Sequence, residues 1–391
     1  MRNLNDKLAI LGNKIHNKQK IKIAIVGLGS VGNYLLNYLN SCSYKDVEIF
    51  VATRNIDKAI KDINISKVAA IIRNGYSKKI YLDNIDLNSV EDIKRFIQNV
   101  EPDFIVNASR VYAGLKYGSI SWNTIRAYGL WAPLAVCFIK NIMQAHELAN
   151  SSAIVINTSY SDAVIPWLKS SDMRYPDFGS GNVNHLIPRI KMAVANEINI
   201  DEINNIDICL VASHFHDVVI SKEGHTEQCE PLIHISYGGK SLNLDMKQIW
   251  KECAIAMPSD AKRNMMNASS NFEIIRKILD SINTKQSILI HSPGVCGYIG
   301  GYPITINYSQ NPIVKFDERY FSLDRMIAFN KKSIYLDGIE GIDGGELFYT
   351  DELLKKVKDL FKVDIPKKIK LAESNEVAQF IIDRIIKPNA E

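Results

Sequence analysis

Ile21-Lys22-Ile23-Ala24-Ile25-Val26-Gly27-Leu28-Gly29-Ser30-Val31-Gly32 is the stretch whose reading decides the fold. A run rich in β-branched residues enters a Gly-x-Gly-x-x-Gly turn, and a helical pattern of Tyr34, Leu35, Leu36 and Leu39 leaves it. That strand–turn–helix frame distinguishes a dinucleotide-binding loop from a chance run of glycines. Gly27 permits the tight turn out of the strand, Gly29 lets the backbone approach a pyrophosphate, and Gly32 lets helix and strand pack closely. The helix N-terminus then directs its free amides at the phosphates. Leu28, Ser30 and Val31 complete the loop as cofactor-binding candidates. The competing reading is a tight structural turn that binds nothing.

Working outward, Val47–Ala52 reads as a second strand, ending in Thr53-Arg54-Asn55. In a dinucleotide-binding sheet the end of this strand faces the adenosine ribose, where an acid selects NAD. No acid stands there. A guanidinium matches a 2′-phosphate bidentately, so Arg54, flanked by Thr53 and Asn55, favours NADP, with NAD as the alternative. The bland reading of Arg54 is a solvated loop arginine. A helix over Ala59–Ile72, a strand at Lys79–Leu82, a helix over Val90–Val100 and a strand at Asp103–Ala108 follow. Asn107, Ala108 and Ser109 close that fourth strand and are further cofactor-binding candidates. A helical stretch from Ser119 to Asn150, with a break expected at Pro133, leads to a strand over Ala153–Thr158. Such alternation predicts an α/β fold, a Rossmann-type doubly wound parallel sheet over residues 1–157. A mixed α+β catalytic domain with C-terminal helices is expected over 158–391.

Composition narrows the class. The chain has 391 residues, 46% hydrophobic and 23% charged, which suits two globular domains. Its net charge of +4 is spread along the sequence, so no nucleic-acid footprint is expected. The six cysteines (Cys42, Cys137, Cys209, Cys229, Cys253, Cys296) show no Cys-x-x-Cys spacing and read as reduced thiols. Residues 1–20 are polar, with one amphipathic helix expected through Leu8, Ile10, Leu11 and Ile15, and they carry no apolar signal block. No apolar run reaches the roughly 18–20 residues of a membrane span. A soluble cytoplasmic protein is the expectation.

The second half carries the candidate chemistry. Asn157 closes a strand, where ligands of such sheets gather. Gly179-Ser180-Gly181-Asn182 reads as a turn before a helix bearing Arg189, and the strand Ile206–Ala212 delivers Ser213-His214-Phe215-His216-Asp217. Reduction of a carbonyl leaves an alkoxide that needs a proton donor, a task suited to histidine near neutral pH. Arginine can hold a substrate carboxylate by two parallel hydrogen bonds. His214 is therefore the acid/base candidate, Arg189 the carboxylate anchor, and Asn157 a group to steady the carbonyl or the amide. His214 and His216 are expected to alternate on an extended segment and share one face, His216 touching substrate. Asp217 is expected to orient an imidazole. The plainer readings are a satisfied core histidine, an exposed helix arginine and a His-x-His metal pair. No metal is expected, since no acid-rich ligand set is evident.

The order of these features resembles the lactate/malate dehydrogenase superfamily. The matching pieces are Gly27–Gly32, Asn157-Thr158, Gly179-Ser180-Gly181 with Arg189, and Val211-Ala212-Ser213-His214, across roughly residues 20 to 220. Only Gly300-Gly301-Tyr302-Pro303-Ile304 is similar to a later strand of that family. The resemblance implies hydride transfer between a nicotinamide cofactor and a small 2-hydroxy acid, and a homodimer. It also implies a mobile lid carrying an arginine over Val111–Gly118, with Arg110 nearest the strand end as a substrate-binding candidate and Arg126 at the far side. Three departures stand out. The family's helix carries an Asp that pairs with the catalytic His, and here Val183-Asn184-His185-Leu186 has no acid. One extra residue separates Gly-Ser-Gly from Arg189, and His214-Phe215-His216-Asp217 replaces His-Gly-Asp. A divergent relative is implied. The chain is also similar to saccharopine and opine reductases, which join a Rossmann domain to a larger C-terminal domain and reduce an imine. A third alternative is a nucleotide-sensing protein with a degenerate site.

Towards the C-terminus, Asp351–Lys387 reads as two amphipathic helices separated by Pro366, covering the core or a subunit interface. Asp337–Gly345 is acidic and glycine-rich but lacks calcium-loop spacing, and reads as a series of turns.

Overall fold

The computed structural model describes residues 3–118 and 120–389. The first half alternates strands and helices as its hydrophobic pattern requires: α1 (Leu4–His16), β1 (Ile21–Val26), α2 (Ser30–Ser41), β2 (Val47–Thr53), α3 (Ile56–Asn74), β3 (Ile80–Asn84), α4 (Val90–Val100), β4 (Phe104–Asn107), α5 (Ala132–Leu148) and β5 (Ile154–Asn157). Helix α4 shows why these segments fold locally. Ser89 caps its N-terminus by accepting from the Asp92 amide, Glu91 and Asp92 suit its first turn, and Ile93, Phe96, Ile97 and Val100 form one buried face.

With β6 (Phe178–Gly179) the strands form one parallel sheet in the order β3-β2-β1-β4-β5-β6. The doubly wound expectation holds. The register sets Val26 beside Asn107, and Asn107 beside Asn157, so three strand ends meet at one edge. The sheet continues to Gly179, past the boundary expected at residue 157. The helical stretch before α5 breaks at Arg126, which has φ +52°, and Pro133 sits in the first turn of α5.

The second half begins with α6 (Ser161–Ser170), α7 (Val183–Glu197), β7 (Ile206–Val211), α8 (His214–Glu223), β8 (Leu232–Tyr237), β9 (Lys240–Ser241) and α9 (Met246–Cys253). It continues with α10 (Asn264–Thr284), β10 (Ile288–Pro293), β11 (Gly301–Ile306), β12 (Val314–Phe316), α11 (Leu323–Leu336), β13 (Ile339–Asp343), β14 (Glu346–Tyr349), α12 (Asp351–Phe361), β15 (Lys368–Lys370) and α13 (Ser374–Ile381). Its strands make three small antiparallel sheets, β7-β8-β9, β10-β11-β12 and β13-β14-β15.

The C-terminal residues return to the first domain. Ile339, Leu347, Tyr349, Val357, Ile369, Ile381 and Ile385 share one buried cluster with Ile93, Phe96, Trp131, Ile139 and Ile142 of the α4 and α5 faces. The expected series of turns over Asp337–Gly345 is instead a hairpin. Gly344 and Gly345, both at positive φ, form the two-residue connection that a tight antiparallel pair demands. No helix among the described residues is long and apolar enough to cross a membrane.

Candidate active site

The glycine loop is built for close approach. Gly27 has φ +93°, and a Cβ there would lie 2.8 Å from Cβ of Ser109. A Cβ on Gly32 would meet the Gly27 carbonyl oxygen at 2.2 Å, so helix and strand touch only because both residues are glycine. Above Gly29 there is nothing within 4 Å. The N-terminus of α2 carries no side-chain cap, which leaves its amides open to a ligand. Beside it, Asn107 Oδ1 accepts from Ser109 N at 3.1 Å and Ser109 Oγ at 2.5 Å, and Ala108 N donates to Val26 O. Leu28 is buried and Ser30 and Val31 open the helix. At the end of β2, Arg54 is exposed, while the side chain of Asn55 caps α3 by accepting from Lys58 N. Thr53 O accepts from Ile85 N.

Asn157 has no amide atom left over for a substrate. Its Oδ1 accepts from Asn107 Nδ2 at 2.9 Å, and its Nδ2 donates to Ser159 O and Ser161 Oγ. The residue is fully buried and ties two strand ends together.

The segment after β7 corrects the sequence reading. His214 opens α8 and does not lie on an extended strand. Residues two apart on a helix point to different sides, so His214 and His216 part company. His216 is buried, its Nε2 lies 2.6 Å from Cys229 O, and burial pushes it down to about 4. It is a neutral packing residue facing away from the cavity. Asp217 does not hold His214 either: its Oδ2 lies 3.2 Å from His185 Nδ1.

The acid that holds His214 comes from the turn after α11. Asp337 Oδ2 lies 3.1 Å from His214 Nδ1 and accepts from Tyr160 Oη at 2.7 Å, while Oδ1 accepts from Tyr128 N at 2.8 Å. Three donors on one buried carboxylate fix its orientation. Burial alone would push the His214 imidazolium down, but the Asp337 carboxylate outweighs it and holds the group up at about 9. A second carboxylate, Asp162, accepts from His214 N at 3.0 Å and from Asn182 Nδ2, filling the helix N-terminus where no Ser213 side-chain bond does. Burial raises Asp162 to about 6. Tyr160 stands in the left-handed region at φ +43°, a strained geometry that its hydrogen bond to Asp337 helps to hold.

Tyr128 lies against the imidazole with ring centroids 4.2 Å apart, and its Oη accepts from Arg110 Nη1 at 3.3 Å. Burial pushes this phenol up, but Arg110 and His214 draw it below its usual value. Arg110 thus reaches His214 only through Tyr128. A cavity of about 140 Å³ opens here, lined by Trp122, Tyr128, His214, Lys222, Arg263 and Asp337, among others.

Arg189 is not part of it. Its Nη1 donates to Cys253 O at 2.8 Å and its Nη2 contacts Met257 Sδ at 3.0 Å, with the side chain buried. The expected carboxylate anchor is a strut between α7 and α9. Arg126 is likewise engaged, its Nη2 bonded to Glu223 at 3.0 Å and to Glu227. Glu223, His225 and Glu227 bring ligand atoms within 4.8 Å of one another at the surface, where Arg126 is paired with both carboxylates and His225 Nε2 lies 2.9 Å from Glu223.

Sequence reasoning missed Asp337, Asp162, Tyr128, Tyr160, Lys222 and Arg263. An acid–glycine pair after a helix, as at Asp337-Gly338, carries no chemical signature by itself. Arg263 had one indirect link: Asn264 Nδ2 donates to Ser30 Oγ at 2.5 Å, which sets the start of α10 against the glycine loop.

No protein-family model and no curated protein matches the sequence. Solved structures do. The chain is similar to the lactate dehydrogenase of Cryptosporidium parvum complexed with lactic acid and β-nicotinamide adenine dinucleotide, at 12% identity and TM-score 0.55, covering 82% of this chain and 97% of that one. It is similar to malate dehydrogenase from Picrophilus torridus at 15% identity and TM-score 0.54, covering 81% and 94%. The same holds for MGS-M5, a lactate dehydrogenase from a Medee basin deep-sea metagenome library, at 14% identity and TM-score 0.51, covering 87% and 99%. The likeness is one of fold: the chain has the lactate/malate dehydrogenase fold, in a divergent sequence.

Proposed function

We propose that this protein is a nicotinamide-dependent oxidoreductase acting on a small carbonyl or 2-hydroxy acid, with His214 as the proton-transfer group. The observation that carries the reading is the His214–Asp337 pair on a cavity next to the segment that contacts the glycine loop. The bound nicotinamide would supply or accept the hydride. The chain's own part is to hold the dinucleotide on the amides of α2 above Gly29 and to hold His214 protonated. A carbonyl oxygen that gains a hydride at its carbon becomes an alkoxide, and the imidazolium donates the balancing proton. Asp337 fixes the ring and Asp162 the His214 amide, and both carboxylates help to keep the imidazole's proton in place.

Arg54 after the end of β2 supports NADP over NAD, because it is exposed and no acid stands at that strand end. A degenerate site was suggested by the helix that lacks its acid; Asp337 supplies a carboxylate to His214 from another element. We also propose self-association through α3, where Ile65, Val68 and Ile72 are 70%, 58% and 79% exposed.

The test is oxidation of NADPH and of NADH, followed by absorbance, against 2-oxo acids with and without amino acids. Turnover with a 2-oxo acid alone supports the hydroxy-acid reading. A strict need for an amine moves the protein to imine reduction. Failure of both nucleotides to bind removes the reading altogether.

A further inference from the structure

The cavity beside His214 holds more positive than negative charge. Lys222 on α8 and Arg263 before α10 both line it, and among the described residues neither has a carboxylate within ion-pair reach. The ammonium of Lys222 instead lies 5.6 Å from the centroid of Trp122. Arg126 lies 5.0 Å from the same ring, but it is paired with Glu223 and Glu227. Lys222 and Arg263 are close enough to disfavour each other: burial, then the charge of Arg263, draws Lys222 below its usual value. Only Asp337 opposes them within the cavity, and its carboxylate is already taken up by His214, Tyr160 and the Tyr128 amide. Like charges gathered on one cavity, whose one lining carboxylate is already bound and whose nearest outside carboxylate, Glu223, is shared with Arg126, are relieved when an anion enters.

The residue expected to receive that anion is elsewhere, since the guanidinium of Arg189 is bound to Cys253 O. We propose that Lys222 and Arg263 form the anion subsite of the His214 cavity, holding the carboxylate of a small 2-oxo acid that Arg189 does not reach. The proposal rests on the reading of His214 as the proton donor. Arg263 gives the carboxylate a planar, two-pronged donor, and Lys222 adds a point charge. Asn264, the residue after Arg263, bonds Ser30, which ties the subsite's segment to the glycine loop.

Trp122 lines this cavity and Trp131, Trp167 and Trp250 do not, so its emission responds to an occupant of the site. The experiment titrates the nucleotide-free protein, at constant ionic strength, with pyruvate and with its neutral isostere pyruvamide. Tryptophan emission and melting temperature are followed together. Pyruvate is expected to give a saturable response and pyruvamide none. Lys222→Met and Arg263→Met are each expected to weaken pyruvate binding about tenfold or more, and the neighbouring exposed Lys262→Met to leave it unchanged. Should Arg263→Met fail to fold, Arg263→Lys keeps the charge, loses the fork and is expected to give an intermediate affinity. An equal response to pyruvamide, or wild-type pyruvate affinity in the two Met variants, overturns the subsite. NADPH binding is measured on the same samples. Turnover with a charge-independent pyruvate response removes the subsite and keeps the oxidoreductase reading. Pyruvate binding that depends on the two cations, with no nucleotide bound, does the reverse.

Discussion

His214 Nδ1 lies 3.1 Å from Oδ2 of Asp337, a residue 123 positions later in the chain. The pair joins the first residue of α8 to the turn that follows α11, so the proton-transfer group is assembled from segments that meet only on folding.

Replacing Asp337 by Asn is expected to lower the His214 pKa from about 9, because burial is then opposed only by the weaker influence of Tyr128 and Asp162. For carbonyl reduction the donor must be protonated, so the wild-type rate should hold up to roughly pH 9 and the variant's should fall well before it. Thermal unfolding gives an independent sign. A pKa raised in the folded state contributes stability below the unfolded value and loses it as pH rises through the folded one. The wild type should therefore exceed Asp337→Asn by about 1.5–3 kcal/mol at pH 6 and converge towards it above pH 9. Parallel melting curves across that range would show that the pair carries no charge.

Gly29→Ala and Gly32→Ala should fail differently. A methyl at Gly29 meets nothing in the protein and its φ is −82°, so the variant should melt like wild type yet bind NADPH poorly. A methyl at Gly32 strikes the Gly27 carbonyl at 2.2 Å and should lower stability by about 1–3 kcal/mol. Melting temperature and nucleotide affinity, measured on both variants, check the pair.

Arg54→Gln should weaken NADPH binding by roughly tenfold or more, the value of a charge-assisted contact, and leave NADH affinity near its starting level. Equal losses for both nucleotides would assign Arg54 to the loop's structure and not to a 2′-phosphate.

Ile72 is 79% exposed and Val68 58%, on a helix whose other face packs on the sheet. If α3 is a self-association face, Ile72→Glu should lower the mass seen by light scattering to that of a single chain, with melting of the monomer little changed. A wild-type chain that already runs as a monomer ends that proposal.

The first domain was legible in the sequence because its determinants are local. The apolar, β-branched runs of β1 and β4, the stripe Ile93, Phe96, Ile97 and Val100, and the three loop glycines each act within a dozen residues. A period or a turn constraint is written in consecutive positions. The hairpin over Ile339–Tyr349 was missed even though Gly344-Gly345 supplied a turn signal, because its acidic, glycine-rich flank masked the strands. His214 was misplaced on a strand for a similar reason. Whether Ser213 starts a helix is settled by Asp162 at that helix's N-terminus, 52 positions away.

By itself, then, the sequence determined the parallel sheet, the glycine loop and the presence of a histidine at the end of β7. Tertiary structure decided which acid holds that histidine, which cations face it, and that Asn157, Arg189 and His216 are spent on internal hydrogen bonds. The physical reason is that pairing a polar side chain depends on distance in space and on burial, and the buried Arg189, tied through Nη1 to the Cys253 carbonyl, is held outside the His214 cavity.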